Sequence, residues 1–154
     1  MSAFLAADTE TTLPSEPRLI GTWHLVSFEM QNSTSEPSHP LGQHPQGQII
    51  YDDVGNMSCH LLNPDPPTRP TDATDGADYE ARISYTRYAS YYGPYEVNVV
   101  TRTVHHHVVG ALMPGWAGTT VDRDYAFDGD DELTLSAKIE AVDQLAVLKW
   151  RRTK

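Results

Sequence analysis

Short runs of alternating apolar and polar residues recur along most of this chain, and each predicts a β-strand. In residues 19–31 (LIGTWHLVSFEMQ), the side chains of Trp23 and Leu25 fall on one face and polar residues alternate with them. Residues 47–62 contain two such runs around the turn sequence DDVGN, which predicts a hairpin. Further runs follow at hairpin spacing after residue 93: PYEVNVVTRT, VHHHVVGALM, TTVDRDYAFDG, ELTLSAKIE and QLAVLKWRR.

One segment has helical rather than strand spacing. In residues 78–93 (DYEARISYTRYASYYG), Tyr85, Tyr88 and Tyr92 recur at helical intervals, and Gly93 is a suitable residue to end a helix. The pattern therefore predicts one short helix among the strands.

Two segments have neither the alternation of a strand nor the spacing of a helix. Residues 1–17 are polar and predict a flexible N-terminal arm that precedes a barrel domain of residues 18–154, and the segment 63–78 holds four prolines. We expect residues 1–15 and 63–74 to be the most mobile, because neither buries enough apolar surface to offset the entropy of ordering.

The fold class predicted from these elements is all-β. An antiparallel sheet of about eight strands with hairpin connections can close into an up-and-down β-barrel, which removes exposed edges and encloses space for one small ligand. A length of 154 residues is enough for one such domain.

Charge and cysteine content exclude several classes of function. The formal net charge is −10 and the only basic cluster is the terminal WRRTK, so we expect no nucleic-acid partner and no membrane partner. The single cysteine, Cys59, excludes an intrachain disulfide and a multi-thiolate zinc site, and we expect a buried, inert thiol. The N-terminus has no basic, apolar leader pattern, which favours a cytoplasmic protein.

Several motifs carry a resemblance to a known family. The chain contains GTW on its first predicted strand and KWRR on its last, with PLGQHPQGQIIYDDVGNMS, VHHHVVGALMPGWAGT and RDYAFDGDDELTL between them. In this order the motifs resemble the lipocalin-like domain family within the lipocalin and fatty-acid-binding superfamily. The resemblance implies a ligand-binding barrel with Trp23 near its closed end, beside an arginine of KWRR. Some relatives belong to secondary-metabolite pathways, where such barrels can act as cofactor-free cyclases or isomerases.

The three adjacent histidines are the first candidates for chemistry. Neighbouring strand residues point to opposite faces, so His106 looks one way and both His105 and His107 look the other. The face of His106 is more apolar, which favours His106 as the interior, catalytic histidine and leaves His107 as the alternative. For each of the three, a structural histidine with its hydrogen bonds satisfied is the alternative to a catalytic or ligand-binding role. Because the triplet supplies at most two ligands to one face, we expect no metal site.

Arg123 is the second candidate. In TTVDRDYAF it shares a face with Val121, Tyr125 and Phe127, so its guanidinium points inward among apolar neighbours. An unpaired buried guanidinium is costly, so it requires a carboxylate, a ring face or an anionic ligand. Glu29, placed on the Trp23 face by alternation, is the candidate carboxylate. A structural ion pair at the barrel floor is the alternative to a catalytic role.

Aromatic residues are the candidate ligand contacts. Tyrosines concentrate in residues 83–97, where rings on a capping helix can close over a flat apolar ligand, and packing of helix on barrel is the alternative. Trp116, in the turn PGWAG, is a candidate rim aromatic. The full set of expected ligand-binding residues is Trp23, Glu29, Tyr51, Tyr88, Tyr95, Trp116 and Tyr125.

Two functional hypotheses follow for a ligand-binding barrel, and a third, an interaction module with a filled barrel, is favoured only if no cavity above roughly 300 Å³ exists. The leading one is a barrel that binds a small, largely apolar, oxygenated metabolite and rearranges it as a cyclase or isomerase, with a histidine moving a proton and Arg123 stabilising negative charge. The alternative is a non-catalytic carrier or sensor with the same pocket. No phosphate loop, Gly-x-Gly-x-x-Gly or nucleophile elbow is present, so we expect no cofactor. The expected partner is a small-molecule ligand or substrate, and a homodimer stays open beside a monomer.

Overall fold

The alternating runs form strands in the computed structural model, which describes residues 16–65 and 76–154. The predicted arm (1–17) and the mobile stretch predicted at 63–74 lie outside the described residues, apart from 16–17 and 63–65. Within the described ranges the elements are β1 (Gly21–Gln31), β2 (Gln46–Tyr51), β3 (Asn56–Leu62), α1 (Gly76–Arg87), β4 (Tyr88–Asn98), β5 (Thr103–His107), β6 (Gly110–Ala111), β7 (Thr120–Asp128), β8 (Glu132–Ile139) and β9 (Gln144–Arg152).

The strands close into an up-and-down barrel. Each strand pairs antiparallel with its neighbours in the order β3-β2-β1-β9-β8-β7-β5-β4, and a further β3–β4 pairing closes the ring. The short β6 also pairs with β4, so β5 and β6 together occupy one interrupted position. The prediction of an antiparallel barrel of about eight strands with one short helix is confirmed.

The helix is shorter than the tyrosine spacing predicts. It ends at Arg87, and Tyr88 begins β4, which pairs with β3 along residues 88–94. Barrel closure depends on this pairing, so tertiary hydrogen bonding overrides the local helical spacing. Gly93 does not end the helix. A Cβ there would overlap the His107 carbonyl oxygen, so only glycine allows the strands to approach this closely.

One end of the barrel is closed by a short 3-10 turn, Pro17–Leu19, packed beneath Trp23. The indole N–H of Trp23 donates to the Leu19 carbonyl at 2.9 Å. The Arg152 guanidinium lies 4.2 Å from the Trp23 ring and donates to the backbone carbonyls of Ile20 and Arg18. This geometry confirms the prediction that Trp23 sits at the closed end beside an arginine of KWRR.

A β-bulge in β1 reverses the expected alternation. The register of β1 on β9 shifts between Leu25 and Ser27, so Phe28, rather than Ser27, takes up the inner face after the bulge. Glu29 then pairs with Val147, out of phase with the interior residues Leu148 and Trp150. The prediction that Glu29 shares the Trp23 face is therefore wrong, because a bulge adds one residue to the strand and reverses the faces beyond it.

Candidate functional site

The barrel encloses a cavity of about 500 Å³ that lies toward the end opposite Trp23. This volume is within the range of small-molecule sites and exceeds the roughly 300 Å³ below which a filled interior would be expected. Apolar side chains form much of its wall: Ile49, Leu61, Leu135, Leu148 and Trp150. Its mouth is lined by Trp116, Thr119, Thr120, Lys138 and Ile139.

His106 lies in the cavity wall between two tyrosine hydroxyls. Its Nε2 is 2.7 Å from the Tyr51 hydroxyl, and its Nδ1 is 2.8 Å from the Tyr91 hydroxyl. None of the His106 surface is accessible to solvent. Both ring nitrogens are therefore occupied by tyrosine hydroxyls.

The hydrogen bonds around His106 determine which of its ring nitrogens carries the proton. In the described part of the protein, the buried Tyr51 hydroxyl has His106 Nε2 as its only hydrogen-bond partner. A buried hydroxyl donates its proton when an acceptor is in reach, so Tyr51 donates to Nε2 and the proton of the ring resides on Nδ1. His106 Nδ1–H then donates to the Tyr91 oxygen. The Tyr91 O–H remains available to the neighbouring Cys59 thiol or to a ligand.

Burial keeps this cluster uncharged at neutral pH. Burial, followed by the positive charge of Arg123, lowers the pKa of His106 to about 3. Burial raises the pKa of Cys59 to about 12, and it raises the pKa values of Tyr51 and Tyr91 well above the ordinary range. The imidazole is neutral, as expected beside Arg123, but so low a pKa makes it a weak base.

Arg123 approaches the same cavity from β7. His106 pairs with Val121 and Val104 pairs with Arg123, so His106 and Arg123 are diagonal neighbours on the inner face of adjacent strands. Arg123 is partly buried and lines the cavity, and its Nη1 donates to the Asp122 carbonyl at 3.0 Å. The cavity wall therefore holds the guanidinium of Arg123 beside the neutral imidazole of His106, which has no solvent-accessible surface. A catalytic role for either residue stays a prediction.

His107 lies on the outer surface. Its Nδ1 is 3.0 Å from the Thr120 hydroxyl and its Nε2 is 3.2 Å from a Glu96 carboxylate oxygen. His105 is also outside, with its Nδ1 2.6 Å from an Asp122 carboxylate oxygen. The structure thus corrects the alternative that placed His107 in the interior, because strand alternation assigns only the His106 face to the cavity.

Several predicted ligand contacts lie elsewhere. Tyr88 is on the outer face, where its hydroxyl meets His60 Nδ1 at 2.7 Å. Trp23 and Tyr125 face inward but belong to the closed end, against Phe127. Neither they nor Glu29 are among the described residues that line the cavity.

Two further predicted ligand contacts lie behind the residues that line the cavity. Tyr51 and Tyr95 pack edge to face with ring centroids 4.9 Å apart, and the Tyr95 hydroxyl donates to the Asp52 carbonyl. Tyr51 reaches the cavity only through His106. Both residues therefore support the site rather than line it, and a direct ligand contact by either would require the wall to move.

Trp116 occupies the rim, as the sequence predicts. It ends a 3-10 turn, is 38% exposed and packs edge to face on Tyr91 with centroids 6.0 Å apart. The helix α1 does not cover the mouth with tyrosines, since none of its described residues lines the cavity. The rings expected on a capping helix lie instead on β4, where Tyr91 and Tyr95 point inward.

Sequence reasoning did not select Tyr91, Trp150 or Cys59 as site residues, although all three line the cavity. The Trp150 indole N–H is buried with no hydrogen-bond partner in the described part of the protein. Two-residue alternation could have placed two of them on the inner face, because Cys59 alternates with Met57 and Leu61, and Trp150 alternates with Leu148. For Tyr91 that signal was masked by the helical spacing of its neighbours.

Among the described residues, no three histidine, cysteine, aspartate or glutamate side chains come together in a group that could hold a metal ion. In the same residues, no helix has the length and apolar character needed to cross a bilayer.

A family model, a curated protein and two solved structures are similar to this chain. The 4'-hydroxy-3'-methoxypropiophenone carrier protein ppsC of Aspergillus oryzae is 30% identical over 107 residues, which cover 62% of this chain and 96% of that protein. A redesigned β-barrel has 14% identity and a TM-score of 0.43, covering 89% of this chain and 93% of its own. A de novo designed fluorescence-activating β-barrel has 12% identity and a TM-score of 0.42, covering 87% and 93%. The sequence profile described as a lipocalin-like domain matches residues 20–153. The chain therefore belongs to the lipocalin-like domain family.

Proposed function

We propose that this protein is a carrier that binds one small, largely apolar, oxygenated metabolite of secondary metabolism inside the barrel and releases it unchanged. The observation that supports this most directly is the cavity of about 500 Å³ in the barrel, which opens to solvent and has an apolar wall with a few polar groups. The relative from Aspergillus oryzae is named a carrier of a hydroxylated, methoxylated aryl ketone, a compound of this class.

The state of His106 favours a carrier over an acid–base enzyme. A general base needs to reach the proton that it removes and to have a pKa near the working pH. His106 has no accessible surface, both of its ring nitrogens are bonded to tyrosines, and its pKa is lowered to about 3. The imidazole therefore serves to hold Tyr91 at the cavity surface.

A cofactor-free isomerase or cyclase is the second candidate. It is favoured by the placement of His106 and Arg123 on one cavity, where a guanidinium can stabilise an enolate. If that chemistry operates, His106→Ala and Arg123→Ala each lower turnover by about a hundredfold, whereas His105→Ala has little effect.

Calorimetric titration with 4'-hydroxy-3'-methoxypropiophenone, followed by chromatography and mass spectrometry of the recovered compound, tests the proposal. A carrier binds the ketone and returns it unchanged. An altered product supports the isomerase or cyclase, and absence of binding contradicts both for this ligand.

A cavity-filling variant and its neighbour on β8 provide matched controls. Ala137 lines the cavity, whereas Ser136 alternates to the other face of the same strand. Ala137→Trp is expected to abolish binding and Ser136→Trp to preserve it. Equal loss in both variants would indicate general damage to the barrel, and preserved binding in Ala137→Trp would place the ligand outside the cavity.

A further inference from the structure

Arg123 brings a positive charge to the cavity without a charged partner. Its guanidinium donates to the backbone carbonyl of Asp122, and no described carboxylate forms a salt bridge with it. The described cation–π contacts involve Arg18 and Arg152 at the closed end. Neither a carboxylate nor a ring face therefore pairs with Arg123 in the described part of the protein, which leaves water or an anionic ligand in the cavity as the partner of its guanidinium.

The groups that face Arg123 from the packed strands do not neutralise it. Cys59 from β3, Tyr91 from β4 and His106 from β5 surround the same cavity, and burial keeps all three uncharged at neutral pH. Trp150 from β9 has no charge. Asp122 is the one acidic residue among the described residues that line the cavity, and its carboxylate bonds His105 on the outer surface rather than Arg123.

The charged groups at the mouth already have partners. The Asp122 carboxylate is 63% exposed and lies 2.6 Å from His105 on the outer surface. Lys138, from β8, pairs with Glu140 at 3.6 Å and Asp143 at 3.5 Å. Among the described residues that line the cavity, Arg123 is thus the charged side chain without a charged partner, although the whole chain carries a formal charge of −10.

We infer that the cavity binds its ligand as an oxyanion, with a negative oxygen on an otherwise apolar body placed against the Arg123 guanidinium. This inference rests on the proposed binding function and specifies its ligand class: phenolates, enolates or carboxylates on an aromatic or apolar frame. Attraction between opposite charges is stronger beside apolar walls than in bulk water, because a partly buried guanidinium is screened less by solvent. Neutral analogues leave the guanidinium unpaired and bind less tightly.

Neutral donors in the wall suit the same ligand. The buried Trp150 N–H lacks an acceptor in the described part of the protein, and the Tyr91 O–H is free to turn from the Cys59 thiol to a ligand. Both groups donate, as Arg123 does. An electron-rich oxygen satisfies these donors, and a ligand hydroxyl that must itself donate does not.

Spectroscopic titration of 4-nitrophenol against the full chain tests this inference, because only its phenolate absorbs visible light. Preferential binding of the anion lowers the apparent pKa of the bound probe, and we expect a shift of about one pH unit, which corresponds to a tenfold preference. A second arm compares 2-naphthoate with the uncharged 2-naphthamide, where the same preference appears as a ratio of Kd values.

Substitutions test whether the preference for the anionic probe depends on Arg123. Arg123→Gln is expected to remove the shift, and Arg123→Lys to retain part of it and report on folding. Arg151→Gln is the matched control, since Arg151 lies outside and pairs with Glu132. A shift that persists in Arg123→Gln, or equal binding of neutral and anionic probes, overturns the inference. If an uncharged aryl ketone binds while no anion is preferred, the inference falls and the proposed carrier function stands.

Discussion

Removal of one hydroxyl from the Tyr51–His106–Tyr91 cluster tests the reasoning about the site. Tyr51→Phe keeps the ring, which is 1% exposed, and deletes the oxygen that lies 2.7 Å from His106 Nε2. Tyr51 donates this bond, so the variant leaves an acceptor nitrogen without a partner. No water replaces the hydroxyl easily, because His106 has no accessible surface.

The size of the effect follows from that burial. An unsatisfied buried polar group costs about 1–3 kcal/mol. Part of that cost is offset because the variant no longer has to bury the polar hydroxyl of Tyr51. We therefore expect Tyr51→Phe to lower the free energy of unfolding by about 2 kcal/mol. For a chain of this length that loss lowers Tm by about 6 °C. Tyr91→Phe is expected to cost about 1 kcal/mol or less, since Tyr91 lines the cavity and water there can accept from His106 Nδ1.

Urea unfolding of the variants measures these differences as shifts in the urea concentration at the midpoint of unfolding, with an unchanged slope m of free energy against urea. Tyr88→Phe is the control, because its hydroxyl makes a bond of the same length, 2.7 Å, to His60 on the outer face. Solvent replaces that bond, so its loss is expected to cost under about 0.5 kcal/mol. If Tyr51→Phe is no less stable than Tyr88→Phe, the argument for a sealed and fully bonded His106 is wrong.

Two further predictions concern stability. The folded-state pKa of His106 is about 3 and its ordinary value is 6.5, so the unfolded chain binds the extra proton, and stability is lost as pH falls below 6.5. Unfolding curves between pH 6 and pH 4 should show about 1.4 kcal/mol per pH unit more loss for the wild type than for His106→Gln, and parallel pH profiles would contradict this. Gly93→Ala should cost about 3 kcal/mol or more in urea unfolding, because the new Cβ would meet the His107 carbonyl oxygen, whereas Gly115→Ala, with open space around it, should cost little. Equal stability of these two glycine variants would refute the close approach.

Uninterrupted alternation made much of the barrel predictable. In β7 every second residue faces inward from Val121 to Phe127, so the placement of Arg123 follows from sequence. The apolar character of the Val104 face was enough to distinguish His106 from its neighbours. The hairpins also follow from local pattern, because each joins segments close in the chain, whereas the closed end at Trp23 and the barrel were predictable from the family motifs.

The remaining features depend on contacts between distant segments. The bulge that moves Glu29 outside is a property of how β1 registers on β9, and one inserted residue reverses every face beyond it. Residues 88–93 have helical spacing but pair with β3, because closing the barrel satisfies backbone groups that a longer helix would leave at a sheet edge. The partners of His106 come from β2 and β4, 55 and 15 residues away. The sequence by itself determined which strands form and which face of most strands is inner, whereas tertiary pairing decided where alternation breaks and which polar groups meet, because register and side-chain contacts exist only after the barrel closes.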